Sequence, residues 1–131
     1  MTTPGIVDYI NSHIEGGAGL FSSYFGDTVS RATSRPSPLD RDIIDLEGHE
    51  LRVIEVGQGD IAPSAVLHIP SLDAVVAGDV AYNQIHQMLA LGGPAEWDHC
   101  AKTVPESNLF MSFGLAFERK QIPRFVGNAS S

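Results

Sequence analysis

The stretch that decides the fold runs from Glu47 to Asn83, EGHELRVIEVGQGDIAPSAVLHIPSLDAVVAGDVAYN. Within it, Ala65–Ile69 and Ala74–Ala77 are strand-like runs on either side of a Pro-Ser-Leu-Asp turn. The first run alternates, with Ala65, Leu67 and Ile69 set against Ser64, Val66 and His68. The second is continuously apolar, which predicts cover on both of its faces. It stops at Gly78 and Asp79, so a carboxylate stands where an apolar strand meets solvent.

Working outward, Ile43–Leu46 and Leu51–Val56 flank Glu47–Glu50, a hairpin turn in which glycine supplies the special backbone angle. Residues 42–82 therefore read as a mainly antiparallel meander that wants helices against one face, and the opening helices are the candidates. Thr3 and Pro4 open the first helix, on which Ile6, Val7, Ile10 and Ile14 recur at helical spacing. Gly16, Gly17 and Gly19 predict a break. Leu20, Phe21, Tyr24 and Phe25 then form a second apolar face, expected to be core. Between helix and meander, Thr28–Asp40 is a polar connector in which Pro36 and Pro38 bar regular pairing. Its positive charges, from Arg31 through Arg41, read as a solvated linker. Downstream, Pro94–Val104 is helical with Trp97, Cys100 and Val104 on one face. Leu109–Phe117 is apolar without clean periodicity. The expectation is one α/β domain over 1–131: helical at 1–27, connector at 28–41, meander at 42–82, helix at 94–104 and a divergent tail at 105–131.

Composition bounds the function. Hydrophobic residues make up 43% of the 131 and charged residues 18%, as in a folded globular chain. A formal net charge of −8 argues against nucleic acid and anionic membrane surfaces, which require basic patches. No apolar run reaches the roughly 20 residues of a membrane span, and the first residues lack the pattern of a signal peptide. The single cysteine, Cys100, cannot form an internal disulfide, so a cytoplasmic setting with a reduced thiol is expected.

The chemistry-bearing residues are sparse. His13, His49, His68, His86 and His99 show no H-x-H or H-E-x-x-H spacing, and no cysteine pair exists. His13 reads as a polar-face helix residue, His49 as a turn residue and His68 as a sheet residue. Ser64 has no nucleophile-elbow context, and Cys100 reads as an inert half-buried thiol. The Gly57-Gln58-Gly59 loop lacks the further glycine or lysine of a phosphate site. Asp79 remains, with Tyr82, Asn83 and His86 just after it and the Gln58–Asp60 loop before it. Two readings of Asp79 stand level: a site carboxylate at a strand end, or a cap on the turn that follows.

Over Gly48–Asn83, and more loosely over Pro4–Val104, the sequence resembles the metallo-β-lactamase-fold family. That resemblance implies part of an αββα sandwich with metal ions at the edge of its sheets. It also implies a metal-bound hydroxide that attacks an ester, lactone, thioester or amide carbonyl. By position, Asp79 matches the family's bridging carboxylate and is the one metal ligand that transfers. The family's H-x-H-x-D-H motif belongs upstream of Pro4, where the chain does not extend. Gln58 stands near the family's next histidine, and glutamine is a poor ligand for a zinc-class ion. Glu106–Ser131 holds no histidine to match the last one. Tyr82, Asn83 and His86 match residues that line the family's cleft.

The implied protein is a truncated or degenerate relative without a working two-metal site. It would bind or act on a small molecule, with specialised metabolism as one setting, and Asp79 and His86 would be its catalytic candidates. Gln58, Asp60, Tyr82, Asn83 and His86 would be its binding residues. No cofactor is expected unless the family chemistry survives, in which case zinc or another divalent metal would be. The alternatives are a metal-dependent hydrolase of small esters, lactones or thioesters, and a non-catalytic interaction protein. A chain that keeps strands mainly from one of two sheets leaves a face and edges to cover. A homodimer is therefore expected, with the Leu109–Phe117 cluster contributing.

Overall fold

The computed structural model describes residues 1–28, 34–82, 93–112 and 115–118, and the side chains of these except at 15–20, 27 and 115–118. The chain divides into two compact units, Met1–Asp40 and Arg41–Ser131.

In the first unit, Pro4–Phe25 is one helix of 22 residues, α1. Proline sits in its first turn, where a missing N–H costs nothing. The break expected at the glycines does not occur. A glycine costs about 1 kcal/mol against alanine in a helix interior, which slows propagation without ending it. The aromatic stripe is not core either: Phe21, Tyr24 and Phe25 are 55%, 73% and 60% exposed. They contact one another instead, with Phe21 and Phe25 stacked and Tyr24 edge-on to Phe25, each pair at 6.4 Å between centroids. The end of the connector is ordered against the start of the chain. Thr2 N–H donates to Ser37 O at 3.1 Å, and Leu39 N–H donates to Thr2 O at 2.9 Å. The bridge between Thr2 and Pro38 uses the donor and acceptor on either side of proline, so its missing N–H is not needed. Arg35 donates to Asn11 Oδ1 at 3.0 Å.

The second unit is built on one six-stranded sheet in sequence order. Its strands are β1 (Ile43–Leu46), β2 (His49–Gly57), β3 (Ser64–Ile69), β4 (Ala74–Val76), β5 (Leu109–Ser112) and β6 (Leu115–Glu118). All neighbours are antiparallel except β4 and β5, which run parallel. The predicted mainly antiparallel meander is thus present. The first turn is tighter than read: Leu46 pairs with His49 around Glu47 and Gly48, so His49 is a strand residue. Both turn residues have positive φ, 54° and 85°, the conformation of a two-residue hairpin turn that glycine accommodates freely.

The apolar tail run, which carried no period, supplies β5 and β6. Phe110 is 1% exposed and lies in the core, with Met111 on the other face at 39%. The helix α2 (Pro94–Thr103) packs over β2. Cys100 and Val104 join Val56, Val66, Val75, Ala77 and Phe110 in one cluster. On β3 the core residue is Val66, while Leu67 and Ile69 stay half-buried. Val76 is 36% exposed, so β4 is covered fully on one face only. Among the described residues no helix is long and apolar enough to cross a membrane.

Candidate functional site

The strand ends at Gly57 and Val76 bring the candidate residues together. Between β2 and β3 the register slips by one residue, so that Gly57 pairs with Ser64 while Glu55 pairs with Ala65. Val56 is the extra residue, and a bulge of this kind re-aims the chain that follows. The following loop holds Gln58, half-buried, then Gly59 and Asp60. Gly59 N–H donates to Ile61 O at 3.1 Å, and Ser64 Oγ donates to the same carbonyl at 2.7 Å. A Cβ on Gly59 would stand 2.9 Å from Ser64 Oγ, so the loop closes on itself only with glycine there.

The second wall is the turn after β4, Gly78–Val80. Two bonds to β5 hold it: Ala77 N–H donates to Met111 O at 2.8 Å, and Ser112 Oγ donates to Gly78 O at 2.5 Å. Asp79 is exposed on this turn. Its carboxylate makes no hydrogen bond among the described residues, including to the turn it was read as capping.

Tyr82 closes the arrangement. Its hydroxyl lies 3.1 and 3.0 Å from the two carboxylate oxygens of Asp60 and donates its one proton to that carboxylate. Burial raises the Asp60 carboxyl above its ordinary value; the Tyr82 hydroxyl partly offsets this, and the charge of Asp79 adds to the rise. Burial, then the bond to Asp60 and the two negative charges, push the Tyr82 phenol up to about 12. Tyr82 is therefore a permanent donor at neutral pH, and Asp60 its acceptor.

Of the residues singled out from the sequence, Gln58, Asp60, Asp79 and Tyr82 are described. Asn83 and His86 lie outside the described residues. Two side chains near the site carried no sequence signal. Trp97, 1% exposed, places its ring 6.5 Å from that of Tyr82. His99 Cδ2 stands 3.7 Å from where a Cβ on Gly57 would be, beside the Gln58 loop. Both arrive on α2, so only the packing of that helix brings them near.

Among the described residues, the donors do not fit a zinc-class centre. Among the described residues, no three His, Cys, Asp or Glu side chains are grouped to hold an ion. Among the described residues, Asp60 is the carboxylate close enough to Asp79 to feel its charge, and it already accepts from Tyr82. A catalytic zinc site takes three protein ligands, usually with imidazole among them.

No family model matches the sequence, and no curated protein matches it. Solved structures do match the fold. A metallo-β-lactamase from Pontibacter korlensis superposes with a TM-score of 0.56 at 12% identity, over 86% of this chain and 58% of its own. The metallo-β-lactamase IND-7 gives 0.52 at 10% identity, over 92% and 56%. FIM-1 from Pseudomonas aeruginosa, a metallo-β-lactamase in a mono-zinc form, gives 0.50 at 14%, over 72% and 45%. The chain thus spans about half the length of the structures it matches. Across that span, its helices and meander have a metallo-β-lactamase-like fold.

Proposed function

We propose that this metallo-β-lactamase-like chain binds a small molecule at its strand ends and does so without a two-metal centre. The observation that supports this most is the hydrogen bond between Tyr82 and Asp60. It holds one carboxylate with a phenol O–H that lies within reach of both oxygens and stays protonated at neutral pH. Asp79 is then the one carboxylate there with no described hydrogen-bond partner, too few ligands for a hydrolytic ion. The groups at the strand ends suit recognition: the Asp79 carboxylate and the Tyr82–Asp60 pair, with Gln58 on the loop beside them. Asp79 and His86 are the polar groups for any proton transfer, and Asn83 and His86 would extend the binding surface.

The second reading, a metal-dependent hydrolase of small esters, lactones or thioesters, is favoured by the fold. One matched structure, FIM-1, carries zinc. Metal analysis of protein purified from zinc-supplemented cells separates the two readings. Substoichiometric metal is expected. Thermal shifts with a panel of lactones, esters and thioesters should then find a stabilising compound. Its effect should survive a chelator and shrink in Gln58→Ala. One equivalent of zinc that disappears in Asp79→Ala, or ester or lactone hydrolysis abolished by chelation, would overturn the proposal.

A further inference from the structure

Two buried serines of the second unit stand at either end of β5, Ser107 before it and Ser112 as its last residue, 4% and 5% exposed. They are used differently. The Ser107 hydroxyl has no hydrogen-bond partner among the described residues, whereas Ser112 Oγ donates to Gly78 O at 2.5 Å. Register brings Ser112 there. β4 and β5 run parallel with Val76 beside Met111, so the next residue of β5 comes alongside the turn that follows β4. Ser112 lies two residues from Phe110 and shares its buried face.

The turn carries this anchor to the site. Gly78 has a φ of 52°, and glycine is the residue that pivots most freely. The backbone bond from Ala77 N–H to Met111 O holds the turn before that pivot, and the Ser112 bond holds the pivot itself. Beyond it, Val80 N–H donates to Ala77 O at 3.0 Å, and the Val80 side chain joins the core cluster. Val80 Cγ2 stands 3.5 Å from where a Cβ on Gly59 would be, so the turn rests against the loop between β2 and β3. Asp60 follows Gly59 on that loop, and Tyr82 follows Val80 by two residues. Their hydrogen bond closes the circuit.

We propose that Ser112 is a positioning residue for the strand-end site. Its bond to Gly78 fixes the turn on which Asp79 stands and the place from which Tyr82 reaches Asp60. This role deepens the strand-end reading and rests on it for the use made of the Tyr82–Asp60 pair.

The single tryptophan supplies the readout. The Trp97 ring lies 6.5 Å from that of Tyr82, and a tyrosinate formed there takes up its excitation. The part of the alkaline quenching of Trp97 fluorescence that is absent in Tyr82→Phe therefore follows Tyr82. In the wild type its midpoint is expected at about 12. Ser112→Ala should lower the midpoint by about one pH unit, because Asp60 and Asp79 then no longer hold their places beside the phenol. Ser107→Ala, at the equally buried serine, should leave it unchanged. Ser112→Thr and Ser112→Val are alike in shape and differ in the hydroxyl, so threonine should titrate with the wild type and valine with alanine. Circular dichroism at neutral pH shows that each variant is folded. A midpoint unmoved in both Ser112→Ala and Ser112→Val overturns the proposal. So does an equal fall in Ser107→Ala or in Ser112→Thr. These titrations need no ligand, so their failure is separate from a failure of the metal analysis and thermal shifts that test the strand-end reading.

Discussion

Tyr82 Oη reaches both oxygens of Asp60, at 3.1 and 3.0 Å, and so ties the chain after β4 to the loop between β2 and β3. The bond has a pH signature. The phenol ionises at about 12 in the folded protein against an ordinary 10.0, so the native state holds this proton longer. Its contribution is fully present below pH 10.0 and is lost as pH rises through about 12. Urea midpoints should fall across that window in the wild type, and less in Tyr82→Phe. Ultraviolet titration should show one of the three tyrosines ionising late and vanishing in Tyr82→Phe. Equal alkaline slopes for both proteins would mean that the phenol is not buried beside Asp60.

Gly59 decides whether that loop can close. An added methyl would meet Ser64 Oγ at 2.9 Å and Ser64 Cβ at 3.3 Å, and the hydroxyl is fixed by its bond to Ile61 O. Gly59→Ala should therefore destabilise by about 1–3 kcal/mol, the range of a local overpacking. It should also bring the late tyrosine titration back toward its ordinary range, because displacing the loop separates Asp60 from Tyr82. Ser64→Gly should recover part of the loss by removing the obstructing side chain. A neutral Gly59→Ala would show that the loop relaxes freely.

The parts of this fold legible in the sequence are those with a local period or a turn rule. Glu47 and Gly48 announce the hairpin, and the Ser64–Ile69 alternation announces β3. The strand β5 was not legible. It is a parallel neighbour of β4 with Phe110 inward and Ser112 bonded to the next turn, so neither period nor polarity marks it. In α1 the glycines suggested a break that a continuous hydrogen-bond ladder overrides. Its aromatic stripe suggested a core that packing did not provide, because periodicity reports a face and not what lies against it. At the site, Gln58, Asp60, Asp79 and Tyr82 could be grouped because they cluster at strand ends in sequence. Trp97 and His99 could not, since their approach depends on where α2 crosses β2.

Phe110 and Met111 test the inward and outward assignment along β5. Phe110 is 1% exposed within the Val56–Val104 cluster, whereas Met111 is 39% exposed on the opposite face. Phe110→Ala should cost about 3–5 kcal/mol in urea unfolding, combining lost transfer energy with the cavity left behind. Met111→Ala should cost about 1–2 kcal/mol, as expected for a side chain only partly removed from water and able to collapse toward solvent. Comparable losses at the two positions would place Met111 in a second buried layer.

Cys100 is wholly buried in the same cluster, and burial pushes its thiol up to about 11. Protonation and lack of access act together: the thiolate is the reactive form, and no reagent reaches the sulfur while α2 lies over β2. A disulfide reagent at neutral pH should leave the native protein unmodified. One thiol per chain should react in urea, with a midpoint matching global unfolding. Cys100→Ala should be tolerated better than Cys100→Ser, although serine is closer in shape. The hydroxyl would be buried among apolar neighbours, at a cost of about 1–3 kcal/mol if left unsatisfied. Modification well below the unfolding midpoint would instead reveal a local opening of α2. The helix that carries Trp97 and His99 toward the site would then be the least stable part of this unit.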